Sequence, residues 1–140
     1  MARPGTAAVL GVPLIRGWAL KVIRILLGAM PRLLRDVVRE VLGRQPDMDI
    51  VGEVESDDDL LRSLRLELPD VVVLQLSGLG LSQTGARVLE RQPGVHVLGL
   101  SGDGRSAAIY RARIPHAPAF EGSPQGLRLA IREACERGPR

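Results

Sequence analysis

From Val22 onward the hydrophobic residues switch repeatedly between two periods. Val22–Leu27 (VIRILL) is a short, nearly continuous apolar run, as a buried strand requires, and Gly28-Ala29-Met30-Pro31 breaks it. From Arg32 to Arg44 the residues Leu33, Leu34, Val37, Val38, Val41 and Leu42 recur at helical spacing, and Gln45-Pro46-Asp47 ends the helix they predict. Asp49–Glu53 fits a short strand. Ser56 with Asp59 three residues on makes a capping box, and Leu60, Leu61, Leu64 and Leu66 continue as a helix that Pro69 stops. Val71–Leu76 (VVVLQL) reads as a strand covered on both faces.

The second half repeats the pattern more weakly. Ser77–Leu81 is a Gly-rich loop and Gly85–Arg91 a short helix. Gln92-Pro93-Gly94 turns the chain into the strand Val95–Leu100, and Ser101–Gly104 is a further loop. Ser106–Arg113 reads as a weak helix and Ala117–Phe120 as a short fifth strand. Ser123-Pro124 opens the last helix, where Leu127, Ala130, Ile131 and Ala134 line one face and Cys135 flanks it.

Strands alternating with helices imply right-handed crossovers and a parallel sheet covered on both faces. The expected fold is therefore α/β: a doubly wound five-stranded parallel sheet of flavodoxin-like order, (βα)5, in three layers. Such sheets bind ligands at the carboxyl ends of their strands, here Gly28–Met30, Gln75–Ser77, Ser101–Gly102 and Phe120–Glu121. The organisation expected is a flexible extension over 1–20, one domain over 21–136 and a tail over 137–140.

Composition narrows the chemistry. A chain of 140 residues with 45% hydrophobic content can bury one sizeable core, and with 2% aromatics that core must be aliphatic. Cys135 is the only cysteine, which excludes an intramolecular disulfide framework and a Cys-rich zinc site. The net charge of +3 is carried almost entirely by arginine, Lys21 being the only lysine. Arg3 followed by Ala7–Ile15 faintly resembles a secretory signal, but Pro13 interrupts it and Arg16 follows directly. No run approaches the roughly 20 apolar residues of a membrane span, so a cytoplasmic location is expected.

The stretches IRILL (Ile23–Leu27), PDMDIVGEVES (Pro46–Ser56), LPDVVVLQL (Leu68–Leu76), VHVLGLSG (Val95–Gly102) and SPQGLRLAIREA (Ser123–Ala134) carry a resemblance. From about Lys21 to Glu136 the chain resembles a bacterial response-regulator receiver domain, CheY-like and most similar to the receivers of LuxR/NarL-type transcription regulators. The resemblance implies an acidic, Mg²⁺-binding pair after the first strand and a phosphate-accepting Asp at the end of the third. It also implies a Ser or Thr ending the fourth strand and a Lys ending the fifth. Phosphoryl transfer to a carboxylate gathers negative charge, which a hard cation and a Lys offset.

This sequence departs at nearly every such position. The acidic pair falls on Ala29 and Met30, the acceptor on Gln75 and the Lys on Phe120, while the switch aromatic falls near Ala117. Ser101 alone matches. An amide cannot form an acyl phosphate, and Ala29 and Met30 offer no oxygen ligands, so no Mg²⁺ or other cofactor is expected. Ala29, Met30, Gln75, Ser101 and Phe120 would form a degenerate pocket.

Other motifs have plain structural readings. Gly99-Leu100-Ser101-Gly102-Asp103 misses the nucleophile elbow by its last residue, and Gly78-Leu79-Gly80 misses the dinucleotide loop at Gln83. Asp57, Asp58 and Asp59 occupy a helix first turn, where the dipole favours carboxylates. Arg32, Arg35 and Arg39 share a helix face, interleaved by Asp36 and Glu40, with Glu40 set to pair with Arg44. No aromatic is interleaved for base stacking, which disfavours direct nucleic-acid binding. His96 alternates with Val95 and Val97 as a structural residue.

The function expected is a non-enzymatic signalling module, a phosphorylation-independent receiver acting through a protein partner or as a homodimer. By the resemblance its contact face is the fourth helix, fifth strand and fifth helix, with Tyr110, Arg111, Ala117, Arg128 and Ile131. The alternatives are a small-molecule sensor using the degenerate pocket, or a LuxR-type DNA-binding regulator lacking its helix-turn-helix domain.

Overall fold

The architecture comes from a computed structural model. It describes residues 14–15, 18–19, 22–77, 80–112 and 119–137. Within the expected N-terminal extension, β1 (Leu14–Ile15) and β2 (Trp18–Ala19) pair antiparallel as a separate ladder.

The main sheet is built from β3 (Ile23–Leu27), β4 (Met48–Glu53), β5 (Val71–Gln75), β6 (His96–Leu100), β7 (Ser106–Tyr110) and β8 (Ala119–Glu121), in the order β4-β3-β5-β6-β7-β8. The pairs β3–β4, β3–β5 and β5–β6 are parallel. β7 runs antiparallel to both β6 and β8, so β8 points the same way as the first four. Five strands thus run parallel in flavodoxin-like order, with one reversed strand inserted between the last two.

That insertion corrects the expected helix over Ser106–Arg113, which is the strand β7. Its cause lies in the preceding turn. The Asp103 carboxylate Oδ1 accepts from the Arg105 N–H at 2.9 Å, and Gly104 takes φ +75, a conformation that glycine adopts without strain. Asp-Gly is a strong hairpin signal, and here it reverses the chain directly into the sheet.

Alternating residues of the strands divide the core. Ile25, Leu27, Val71, Val73, Leu98 and Leu100 face α1 (Arg32–Gly43) and α4 (Pro124–Arg137), meeting Val38, Leu42, Leu127 and Ile131. Leu26, Val72, Leu74 and Val97 face α2 (Asp57–Glu67) and α3 (Gln83–Arg91), meeting Leu60, Leu64 and Val88. The result is the expected three layers, with Val71–Leu74 buried throughout as their unbroken apolar run implies.

Polar contacts pin the elements. Ser56 caps α2 by accepting from the Asp59 N–H at 3.1 Å, with Asp57, Asp58 and Asp59 in the first turn. The Arg132 guanidinium on α4 donates to both oxygens of Asp47, at 2.7 and 2.9 Å, and to Gln45 at 2.7 Å. Those bonds hold α4 against the α1–β4 turn, and they keep the Asp47 carboxyl below its usual range. On α1 the arginine stripe is neutralised at two of its three positions: Arg39 pairs with Glu53 at 2.9 Å and with Asp36, and Arg35 lies near Glu53 and Glu55; beyond the helix Arg44 pairs with Glu40.

Candidate functional site

The carboxyl ends of β3 and β5 frame a cleft of about 260 Å³. Gln75, the last residue of β5, sits at its base, and Ala29 lines it from the β3–α1 connection. Ser77, Ser82, Thr84 and Asp57 complete its polar lining. Each is placed by local structure. Ser82 caps α3 by accepting from the Gly85 N–H at 3.1 Å. Thr84, in the first turn of α3, donates its hydroxyl to Asp57 Oδ2 at 2.6 Å and so ties that helix to the start of α2. Ser77 and Gly80 exchange backbone hydrogen bonds at 2.8 and 3.0 Å and close the loop between β5 and α3. Residues 78–79 of the Gly78-Leu79-Gly80 stretch fall outside the described residues.

Of the expected pocket residues, Ala29 and Gln75 share this cleft. Met30 packs instead against the core beneath α1 and α4. Ser101 turns into the β6–β7 connection, where its hydroxyl donates to Asp103 Oδ1 at 2.6 Å and accepts from the Ser106 N–H at 3.0 Å. It shapes the turn: its proton goes to a carboxylate that this bond, together with the Arg105 N–H, holds below the ordinary carboxylate range. Phe120 lies on β8 opposite Ala107, and its side chain is outside the described set. Gln75 nevertheless reaches the Ser101 turn, because a Cβ on Gly102 would lie only 3.0 Å from its Nε2.

The cleft's donor set is one carboxylate, one amide and three hydroxyls, and Asp57 is already bonded to Thr84. The residues standing at the expected Mg²⁺ positions, Ala29 and Met30, carry no oxygen ligand, so these side chains do not fit that ion. Among the described residues, no three His, Cys, Asp or Glu side chains cluster in a metal-binding arrangement. Asp57 and Thr84 were not foreseen as a pair. They come from separate helices 27 residues apart, and nothing in local spacing announces such a contact.

The expected contact face is changed by the inserted strand. Tyr110 ends β7 and is packed against the α2–α3 side of the core; Arg111 follows it, half-buried. Ala117 lies outside the described residues. Arg128 is half-buried on α4, and Leu129 beside it is 58% exposed. Ile131 is corrected: it is fully buried against the sheet and cannot present itself to a partner. His96 is buried at 2% exposure, as its place on a central strand implies.

No family model matches the chain, and no curated protein does. Solved structures do. The chain is similar to the signal receiver domain of the response regulator NarL from Mycobacterium tuberculosis, at 26% identity and a TM-score of 0.51, over 58% of this chain and 67% of that one. It is also similar to a LuxR-family two-component response regulator from Aurantimonas sp. SI85-9A1, at 23% identity and a TM-score of 0.51, over 58% of this chain and 59% of that one. The response regulator RcsB, solved in complex with DNA, matches at 19% identity and a TM-score of 0.50, over 58% and 44% of the two chains. Among the described residues, no helix is long and apolar enough to cross a membrane.

Proposed function

The chain has the receiver fold of the two-component response regulators, most like those of the NarL and LuxR type, and from that premise we propose that it is a degenerate receiver, a non-enzymatic signalling module that works without phosphorylation. The observation that carries this reading is Gln75 at the carboxyl end of β5, facing Ala29 across the cleft. A carboxylate there could attack phosphorus; a neutral amide cannot, and it forms no acyl phosphate. Losing the charged groups together is physically coherent, because an orphan carboxylate or lysine in the cleft would carry a desolvation penalty without a partner.

Output in such a module comes from contacts. The edge formed by β7, β8 and α4 offers Arg111, Arg128 and Leu129 to a protein partner or a second copy. Direct DNA binding is not proposed, since Arg35 and Arg39 of α1 are engaged by Asp36, Glu53 and Glu55, and the following Arg44 by Glu40. A second reading, a sensor of a small polar molecule, rests on the hydroxyl and amide lining of the Gln75 cleft.

Intact-protein mass after incubation with acetyl phosphate and Mg²⁺ tests the first reading. An unchanged mass is expected, and a stoichiometric phosphate removed by hydroxylamine would refute it. Light scattering on the purified chain tests the contact face: a dimer is expected, weakened by Leu129→Arg, and a strict monomer with no partner overturns it.

A further inference from the structure

A second cavity lies on the other side of the β6–β7 turn, between that turn and α1. It measures about 350 Å³ and its walls are Leu33, Leu34, Val37 and Val38 of α1, with Leu100 of β6 and Leu127 of α4 beneath. Its volume falls within the ~300–1,000 Å³ range of organic-ligand pockets, and its lining has their usual make-up: hydrocarbon walls with few polar groups. Leu33 is 77% and Val37 50% exposed at its edge, an arrangement that leaves apolar surface in water unless something covers it.

Among the described residues, one charged side chain lines it, Asp103. The carboxylate is held in a defined position. Oδ1 accepts from the Ser101 hydroxyl and the Arg105 N–H, while Oδ2 takes no hydrogen bond from any described residue. The rim around it is backbone packed on backbone. The Gly122 N–H donates to the Arg105 carbonyl at 2.8 Å, and a Cβ on Gly104 would stand 3.5 Å from Leu34. The walls are thus built from packed elements, and the exposed Asp103 carboxylate, which also feels the Arg105 charge, stands at the mouth of an otherwise hydrocarbon site.

We propose that this groove binds a small organic cation: an ammonium-type head paired with Asp103 and a hydrocarbon body laid against Leu33, Val37 and Leu127. A carboxylate-bearing ligand of the same shape is disfavoured by the same charge. The site is separate from the Gln75 cleft, and it does not depend on whether the chain is phosphorylated. Gly102 lines this groove and also approaches the Gln75 Nε2, so an occupant here touches the turn that the Gln75 amide reaches.

The test uses the full chain, ¹⁵N-labelled, titrated with hexylammonium, hexanol and hexanoate. Hexylammonium should shift the amides of Leu33, Val37, Asp103 and Gly104 in a saturable way, hexanol should bind about threefold more weakly, as befits an ion pair at an exposed carboxylate, and hexanoate more weakly still. Asp103→Asn keeps an oxygen that can accept both turn hydrogen bonds and should erase the difference between amine and alcohol. Val37→Gln, at an exposed position that puts folding at no risk, should weaken both. Equal binding of amine and alcohol overturns the proposal, as do shifts confined to the Gln75 cleft or an amine affinity unchanged in Asp103→Asn. Ligand-free shifts at Leu33 and Val37 that track protein concentration would assign the groove to a second copy and overturn it as well.

Discussion

Gly122→Ala tests the inserted strand more directly than any other substitution. Gly122 follows β8, and its backbone lies against the β6–β7 turn. A Cβ there would stand 2.3 Å from the Gly104 carbonyl oxygen and 3.1 Å from the Arg105 carbonyl carbon. Those are backbone atoms, which cannot rotate aside as a side-chain tip can. The two segments must separate, breaking the hydrogen bond from the Gly122 N–H to the Arg105 carbonyl. A lost hydrogen bond costs about 1 kcal/mol and the overpacking roughly 1–3, while the stiffer unfolded chain returns about 0.4–1. A net destabilisation of about 2 kcal/mol follows, which at a urea slope of roughly 2 kcal/mol/M lowers the midpoint by about 1 M. Gly43→Ala is the control: at the end of α1 its Cβ meets only Ile50 Cδ1 at 3.6 Å, and stability should hold or rise by up to about 1 kcal/mol. Were Ser106–Arg113 a helix, Gly122 would have no turn against it. Gly122→Ala unfolding within about 0.5 kcal/mol of the parent would therefore refute the strand, its pairing and the rim of the groove together.

Three further outcomes are expected. Gln75→Asp should remain unphosphorylated by acetyl phosphate and Mg²⁺ in an intact-mass assay, because Ala29 and Met30 still supply no oxygen ligand; appearance of an acyl phosphate would show that the acceptor alone is sufficient. Arg132→Met should cost about 1 kcal/mol at neutral pH by thermal unfolding. The Arg132 hydrogen bond lowers the folded-state pKa of Asp47 from 3.8, so its stabilisation is present above that value and is lost as pH falls through the lowered one; the gap between parent and variant should close there, and a gap independent of acidification would sink the assignment. Ser56→Ala removes the cap on the Asp59 N–H and should cost about 1 kcal/mol in urea unfolding, while an unchanged midpoint would mean the cap contributes nothing.

The sequence reveals those elements whose pattern is strong and local. Val71–Leu74 are consecutive, apolar and buried, and Ser56 announces the start of α2. Ser106–Tyr110 hides its nature for a physical reason. As an interior strand β7 is covered on both faces near its start, so Ala107 and Ala108 are both buried and no alternation appears, while alanine itself favours helix. The Asp103-Gly104 turn was the available signal. At the site, Ala29 and Gln75 were legible because strand ends converge in this fold. Burial of Ile131 followed from its helical stripe, whereas the Thr84–Asp57 bond and the groove at Asp103 depend on long-range placement that no spacing encodes.

The reversed strand also alters how the sheet can assemble. A parallel neighbour for β6 would need a crossover of a dozen residues or more, but β7 pairs with it across a short turn, Leu100 opposite Ala107. The pairing of β3 with β5 joins Ile25 to Val71 and must close a far longer loop. The β6–β7 hairpin thus closes a far shorter loop than the β3–β5 pairing, and it is expected to form first, with the N-terminal half docking onto it later. φ-values at Leu100 should exceed those at Ile25, which would make this small departure from an all-parallel sheet the point from which folding spreads.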